Sequence, residues 1–129
     1  GQSAPEKTPS IVVQIAQAAK QKKRRPQLWS NLLDQALASQ GELSPQHMAG
    51  VLHSMSEARF RHHALLDEFI RSLSLRADVK AMVTAMLAVD RLGLPTEGLR
   101  TSFLQQLSGQ CEKLSFGDLR RVLMALARC

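Results

Sequence analysis

Tyrosine is absent from this sequence, tryptophan occurs once, and four phenylalanines complete the aromatic set of a 129-residue chain. A surface that stacks bases on rings has only Trp29, Phe60 and Phe116 to draw on, since Phe69 and Phe103 fall in apolar frames. Trp29 itself lies one turn before Leu32 and Leu33, where core packing is its expected use. The two cysteines, Cys111 and Cys129, make no disulfide framework, and no paired Cys or His spacing of the zinc type occurs. A reducing compartment is the simpler setting, with both thiols as spectators. No apolar run approaches the roughly 20 residues of a membrane-spanning helix. Gly-rich phosphate loops, nucleophile elbows and paired-carboxylate sites are also missing, so the sequence predicts no enzyme, no cofactor and no small-molecule substrate. His47 and His53 stand six apart and His62 and His63 are adjacent; none makes the i, i+4 pair of a helical metal site, and solvent-facing or ligand-adjacent histidines are expected.

Acids are the other shortage. There are 11 against 17 Lys and Arg, for a net charge of +6 and a pI near 10.0. Such a balance favours an anionic partner: nucleic acid, an acidic lipid surface or an acidic protein. The excess is concentrated in "KQKKRR", where Lys20, Lys22, Lys23, Arg24 and Arg25 place five cations in six positions, and residues 18–33 contain no acid.

With 44% apolar residues, the chain suits one folded domain that buries roughly two thirds of its unfolded surface. Residues 1–9 are expected to form a flexible tail and 10–129 a single helical domain. The leading helix, about 10–24, is placed by Thr8 as N-cap, by Pro9 in its first turn, and by the stripe Ile11, Val12, Ile15, Ala16, Ala18 and Ala19. Pro26 disfavours helical geometry at Arg25 and should end it there.

From Pro26 the pattern repeats. "LLDQAL", "LLDEFI" and "FLQQLS" superpose their apolar positions as Leu32, Leu33 and Ala36; Leu65, Leu66 and Phe69; Phe103, Leu104 and Leu107. Each set is followed by a second stripe: Met48, Val51, Leu52 and Met55; Val79, Met82, Val83 and Met86; Leu119, Val122, Leu123 and Leu126. These stripes have the i, i+3, i+4, i+7 spacing of helices burying one face. Ser44 before Pro45, and Ser115 with Asp118, mark helix starts, while Gly93 and Pro95 mark a stop and a restart. Three hairpins, about 26–57, 60–92 and 95–129, are therefore expected behind the leading helix. The expected fold is an all-α, right-handed α-solenoid of hairpin repeats, with a globular helical bundle of the same helices as the alternative. The last stripe ends apolar at "LMALARC", so either more chain or another molecule should cover that end.

The stretches "IAQAAKQKKRRPQLWSNLLDQAL", "LSPQHMAGVLHSMSEARFRHHALLDEFI" and "LSFGDLRRVLMALARC" resemble the helical-repeat arrays of mitochondrial RNA-associated proteins. The relevant groups are the FAST-kinase-like, RAP-domain and heptatricopeptide or octotricopeptide proteins, particularly those of apicomplexan and related protists. The resemblance spans roughly residues 10–129 and has no counterpart to the RAP domain, which argues against a nuclease role. It implies a location in the mitochondrial matrix after loss of any transit peptide, RNA binding, and a structural place in the mitochondrial ribosome with contacts to rRNA and to neighbouring proteins. The alternative is a protein scaffold subunit of a respiratory or ATP synthase complex.

On this reading the RNA-binding residues are Lys20, Lys22, Lys23, Arg24 and Arg25, continued along the second-stripe helices by Lys80, Arg120 and Arg121. They would contact backbone and shape. His47, Lys80 and Arg120 do not make the uniform set of base-facing groups that a one-base-per-repeat code needs.

Overall fold

The computed structural model describes residues 9–76 and 79–108, together with Gly117, Arg120 and residues 122–124. Every regular element among the described residues is helical: α1 (Ser10–Lys20), α2 (Pro26–Ala38), a 3₁₀ turn (Gln40–Glu42), α3 (Pro45–Ala58), α4 (His63–Arg76), α5 (Val79–Arg91) and α6 (Glu97–Ser108). The fold is all-α. Residues 1–8 of the expected tail, Thr8 among them, the Ser115–Asp118 cap, Phe116, Leu119, Arg121, Leu126 and both cysteines lie outside the described residues.

Helix starts follow local chemistry. At α3, Ser44 Oγ accepts from the His47 amide at 3.2 Å while His47 Nδ1 accepts from the Ser44 amide at 3.3 Å, so an imidazole takes the place usual for Glu in a capping box. Pro45 follows in the first turn, where its missing N–H costs nothing. Arg25, before Pro26, is extended at φ −70° and ψ 117°, as the proline ring requires.

Three boundaries differ from expectation. Helix α1 begins at Ser10 with Pro9 as its cap and stops at Lys20, short of the expected 24, because Lys22 turns into the left-handed region at φ 55°. Helix α6 begins at Glu97, after Pro95 instead of on it. The third repeat frame departs in part: Val122 is buried as expected, but Leu104 is 47% and Leu123 66% exposed, and Leu99, outside the expected frame, is buried. Leu99 and Leu104 are five residues apart, about 140° around the helix, so Leu104 points away from the face that Leu99 buries; the side chains of Phe103 and Leu107 lie outside the described residues.

The helices pack in two rows. Helices α1, α3 and α5 lie side by side in one and α2, α4 and α6 in the other, with α1–α2, α3–α4 and α5–α6 crossing between rows. Among the described residues, α1 with α5, α2 with α6, and α2 with α3 meet little or not at all. The closely packed units are thus offset by one helix from the expected 26–57 and 60–92 pairings.

Helix α3 against α5 is the most extensive pair. It holds the buried Met48, Val51, Leu52 and Met55 of α3 and Val79, Met82, Val83 and Met86 of α5, with the small residues Ala49, Ala81, Ala85 and Ala88 also buried. Small side chains allow close approach and the methionines fill what remains. The second-stripe helices are therefore the interior of the fold and not an exposed concave wall.

Trp29, 1% exposed, joins the rows at one end: its indole N–H donates to the Lys23 carbonyl at 2.8 Å, and its ring stacks on Phe60 with centroids 6.3 Å apart. Trp29→Phe should cost about 1–2 kcal/mol, the hydrogen bond alone, and Trp29→Ala about 3–5 kcal/mol as a cavity opens. Urea unfolding followed by circular dichroism measures both.

Candidate nucleic-acid interface

The chain leaves α1, α3 and α5 by the same turn. After α1, the Lys23 amide donates to the Ala18 carbonyl (3.0 Å) and the Lys22 amide to Ala19 (3.1 Å); after α3, Phe60 donates to Met55 (3.0 Å) and Arg59 to Ser56 (3.2 Å); after α5, Leu94 donates to Val89 (3.1 Å) and Gly93 to Asp90 (2.9 Å). This is the Schellman pattern. Its left-handed residue is Lys22 (φ 55°), Arg59 (φ 56°) and Gly93 (φ 77°) in turn. Each of the three precedes the first residue of the next helix, Pro26, His63 or Glu97, by four positions. The corners read Lys-Lys-Arg-Arg, Arg-Phe-Arg-His and Gly-Leu-Pro-Thr.

The corners lie next to one another. Trp29 holds the first through Lys23 and stacks on Phe60 of the second, and a Cβ placed on Gly93 of the third would stand 3.1 Å from an Arg61 guanidinium nitrogen. Together they form one edge of the molecule.

Lys20, Lys22, Lys23, Arg24 and Arg25 are all exposed on this edge, and Lys23, Arg24 and Arg25 line a groove with Leu28. Arg59 and Arg61 of the second corner and Arg91, two residues before Gly93, are exposed as well. No ion pair among the described residues involves any of these eight cations; the pairs that form are His53–Glu57, His62–Asp34 and Arg71–Glu68. The first two corners carry six Lys and Arg and no acid, equal to the whole net charge of +6. The link between α2 and α3, residues 39–44, carries Glu42 and no cation. The excess charge thus belongs to the corner edge.

Lys80 is exposed in the first turn of α5, roughly 16 Å of helix from Arg91. It sits at the opposite edge, and the structure does not bring it to the basic run. Arg120 is exposed, and Arg121 lies outside the described residues. Sequence reading missed Arg59, Arg61 and Arg91. The signal was the equal spacing from each helix-ending residue to the next helix start, which the apolar stripes of the intervening helices overshadowed.

Two histidines expected at the solvent side are structural. His47 completes the α3 capping box. His62 caps α4, its Nδ1 accepting from the Leu65 amide at 3.2 Å and its Nε2 lying 2.7 Å from Asp34 Oδ1 on α2. With Nδ1 accepting, Nε2 carries the proton and donates to the carboxylate. This pins the second corner to the first hairpin. Trp29 is buried and offers no stacking platform, while Phe60 is half-buried against it. Among the described residues no three of His, Cys, Asp and Glu converge as a metal site, and no helix is long and apolar enough to cross a membrane.

Lysine and arginine occupy left-handed positions that glycine takes at lower cost. Lys22→Gly should therefore stabilise the fold by about 0.5–1 kcal/mol, and Gly93→Ala, strained and pressed on Arg61, should destabilise it by about 1–2 kcal/mol. His62→Ala, losing a cap and the Asp34 contact together, should cost about 1–2 kcal/mol. Thermal unfolding of the three variants beside the parent chain gives all three values.

No protein-family model, no curated protein and no solved structure matches this chain.

Proposed function

We propose that this chain is a non-enzymatic RNA-binding helical-repeat protein that holds RNA by its phosphate backbone through Lys20, Lys22, Lys23, Arg24 and Arg25. The observation that carries the reading is the state of this run: five exposed cations on one sharp corner, with no acid engaged. A cluster of this kind neutralises phosphates and releases counterions, and needs no base-specific geometry to do so. Little aromatic surface accompanies it, which favours backbone contact over stacking.

The two-row packing, in which helices touch only near neighbours and successive hairpins turn by one motif, supports the solenoid over the bundle. The resemblance of residues 10–129 to mitochondrial RNA-associated repeat arrays supports a place in the mitochondrial matrix, as a structural component of the ribosome in contact with rRNA and protein neighbours.

The test is fluorescence anisotropy with a labelled single-stranded RNA across a salt series. About five neutralised phosphates, at a single-strand slope near −0.7 each, predict a loss of roughly a hundredfold in affinity between 50 and 200 mM salt. A variant carrying Lys22→Asn, Lys23→Gln, Arg24→Gln and Arg25→Gln should bind far more weakly and flatten the slope by about 2.8. The asparagine keeps the left-handed turn. Absence of RNA affinity in the parent chain, with binding to acidic vesicles or an acidic protein instead, overturns the proposal in favour of a scaffold role.

A further inference from the structure

We infer that the RNA track continues from the basic run along the corner edge, across Arg59 and Arg61 of the second corner toward Arg91 at the third, and not along the lengths of the second-stripe helices. This deepens the RNA-binding reading and rests on it.

Four observations carry the path. The second corner repeats the backbone of the first, hydrogen bond for hydrogen bond, so Arg59 occupies the position of Lys22 and Arg61 that of Arg24. Direct contacts make the edge continuous: Trp29 on Phe60, and Arg61 beside Gly93. Both Arg59 and Arg61 are exposed, and neither joins an ion pair among the described residues. Finally, Arg59 keeps a left-handed backbone that disfavours any residue with a Cβ, so charge is placed there at a cost in conformational energy. Packed helices are spaced about 8–10 Å apart, which makes the three corners a track of about 20 Å.

Charge falls along it. The first corner has four cations, the second two, and the third only Arg91, flanked in sequence by Asp90 and close to Glu97. The track thus has a strong end at Lys22–Arg25 and a weak end at Arg91. A bound strand is gripped at the first corner and laid across the second.

The experiment uses the full chain and a 15-nucleotide uridine oligomer, measured by anisotropy across the same salt series. The double variant Arg59→Asn, Arg61→Gln should lose about tenfold in affinity and lower the salt slope by about 1.4, two contacts' worth. Arg59→Lys with Arg61→Lys keeps the charge and should keep the slope. Lys80→Gln, at the opposite edge, should change neither value. Melting temperatures of the variants check that each has folded. If the double variant binds like the parent while the variant of the basic run does not, RNA binding stands and the continued track is wrong. If Lys80→Gln weakens binding as much as the double variant does, the track lies along α5 and this inference is overturned. A parent chain with no affinity for the oligomer refutes the RNA-binding reading itself, and the track with it.

Discussion

The left-handed turn closing α1, α3 and α5 sets the direction of the chain at three places, and the remaining packing depends on it. After each turn only three residues separate the left-handed position from the next helix. Three extended residues reach about 10 Å, close to the 8–10 Å between packed helix axes. The following helix therefore has one place to go: beside the helix just ended, running back along it. The hairpins α1–α2, α3–α4 and α5–α6 arise this way, and their repetition lines up α1, α3 and α5 as one row. The link from α2 to α3 works differently. It passes through a 3₁₀ turn and an extended Leu43 and Ser44, which carries the chain on to the next hairpin and leaves α2 and α3 nearly apart.

Once the corners are set, burial does the rest. Helix α3 lies between α1 and α5 in its row and also packs on α4, so it buries residues on more than one face, including Ala49, Ser54 and Ser56. Helix α5, packed on α3, α4 and α6, buries eight of its 13 residues. Buried side chains from Ile11 to Val122 form a single cluster. Val13 of α1 and Leu104 of α6 remain exposed.

Much of this was legible. Apart from Ala16 of α1, which is exposed, the apolar stripes of α1 to α5 lie where spacing puts them, the Ser44–Pro45 start is real, Gly93 is left-handed, and Trp29 is core. The hairpin phase was not legible, because apolar periodicity records which face is buried and says nothing of which neighbour buries it. A glycine would have advertised the turns after α1 and α3, but Lys22 and Arg59 stand there, and a cation in a left-handed position carries no signal in composition. The same substitution hid the second corner of the candidate interface. Arg59 and Arg61 read as ordinary polar residues between two helices, and only the match of their corner to the first shows them as its continuation. His47 and His62 were read by chemistry instead of position; a histidine at the start of a helix can cap it as Ser or Asp does, through an unprotonated ring nitrogen.

The field at the corner edge follows from the same geometry. Three helices end there and three begin, so the partial negative charges at the ends of α1, α3 and α5 meet the partial positive charges at the starts of α2, α4 and α6. With about half an elementary charge at each terminus, the backbone contributions nearly cancel. What an approaching anion meets is thus the side chains alone: four cations at the first corner, two at the second, and no acid in either. The opposite edge has the same balance of helix ends, yet its α2–α3 link carries Glu42 and no cation. The two edges therefore share a balance of helix ends but not a turn, and the corner edge carries more cations than the opposite one, where Lys80 stands. That asymmetry concentrates cations at the first two corners, and part of it comes from placing lysine and arginine where the turn would accept glycine at lower cost.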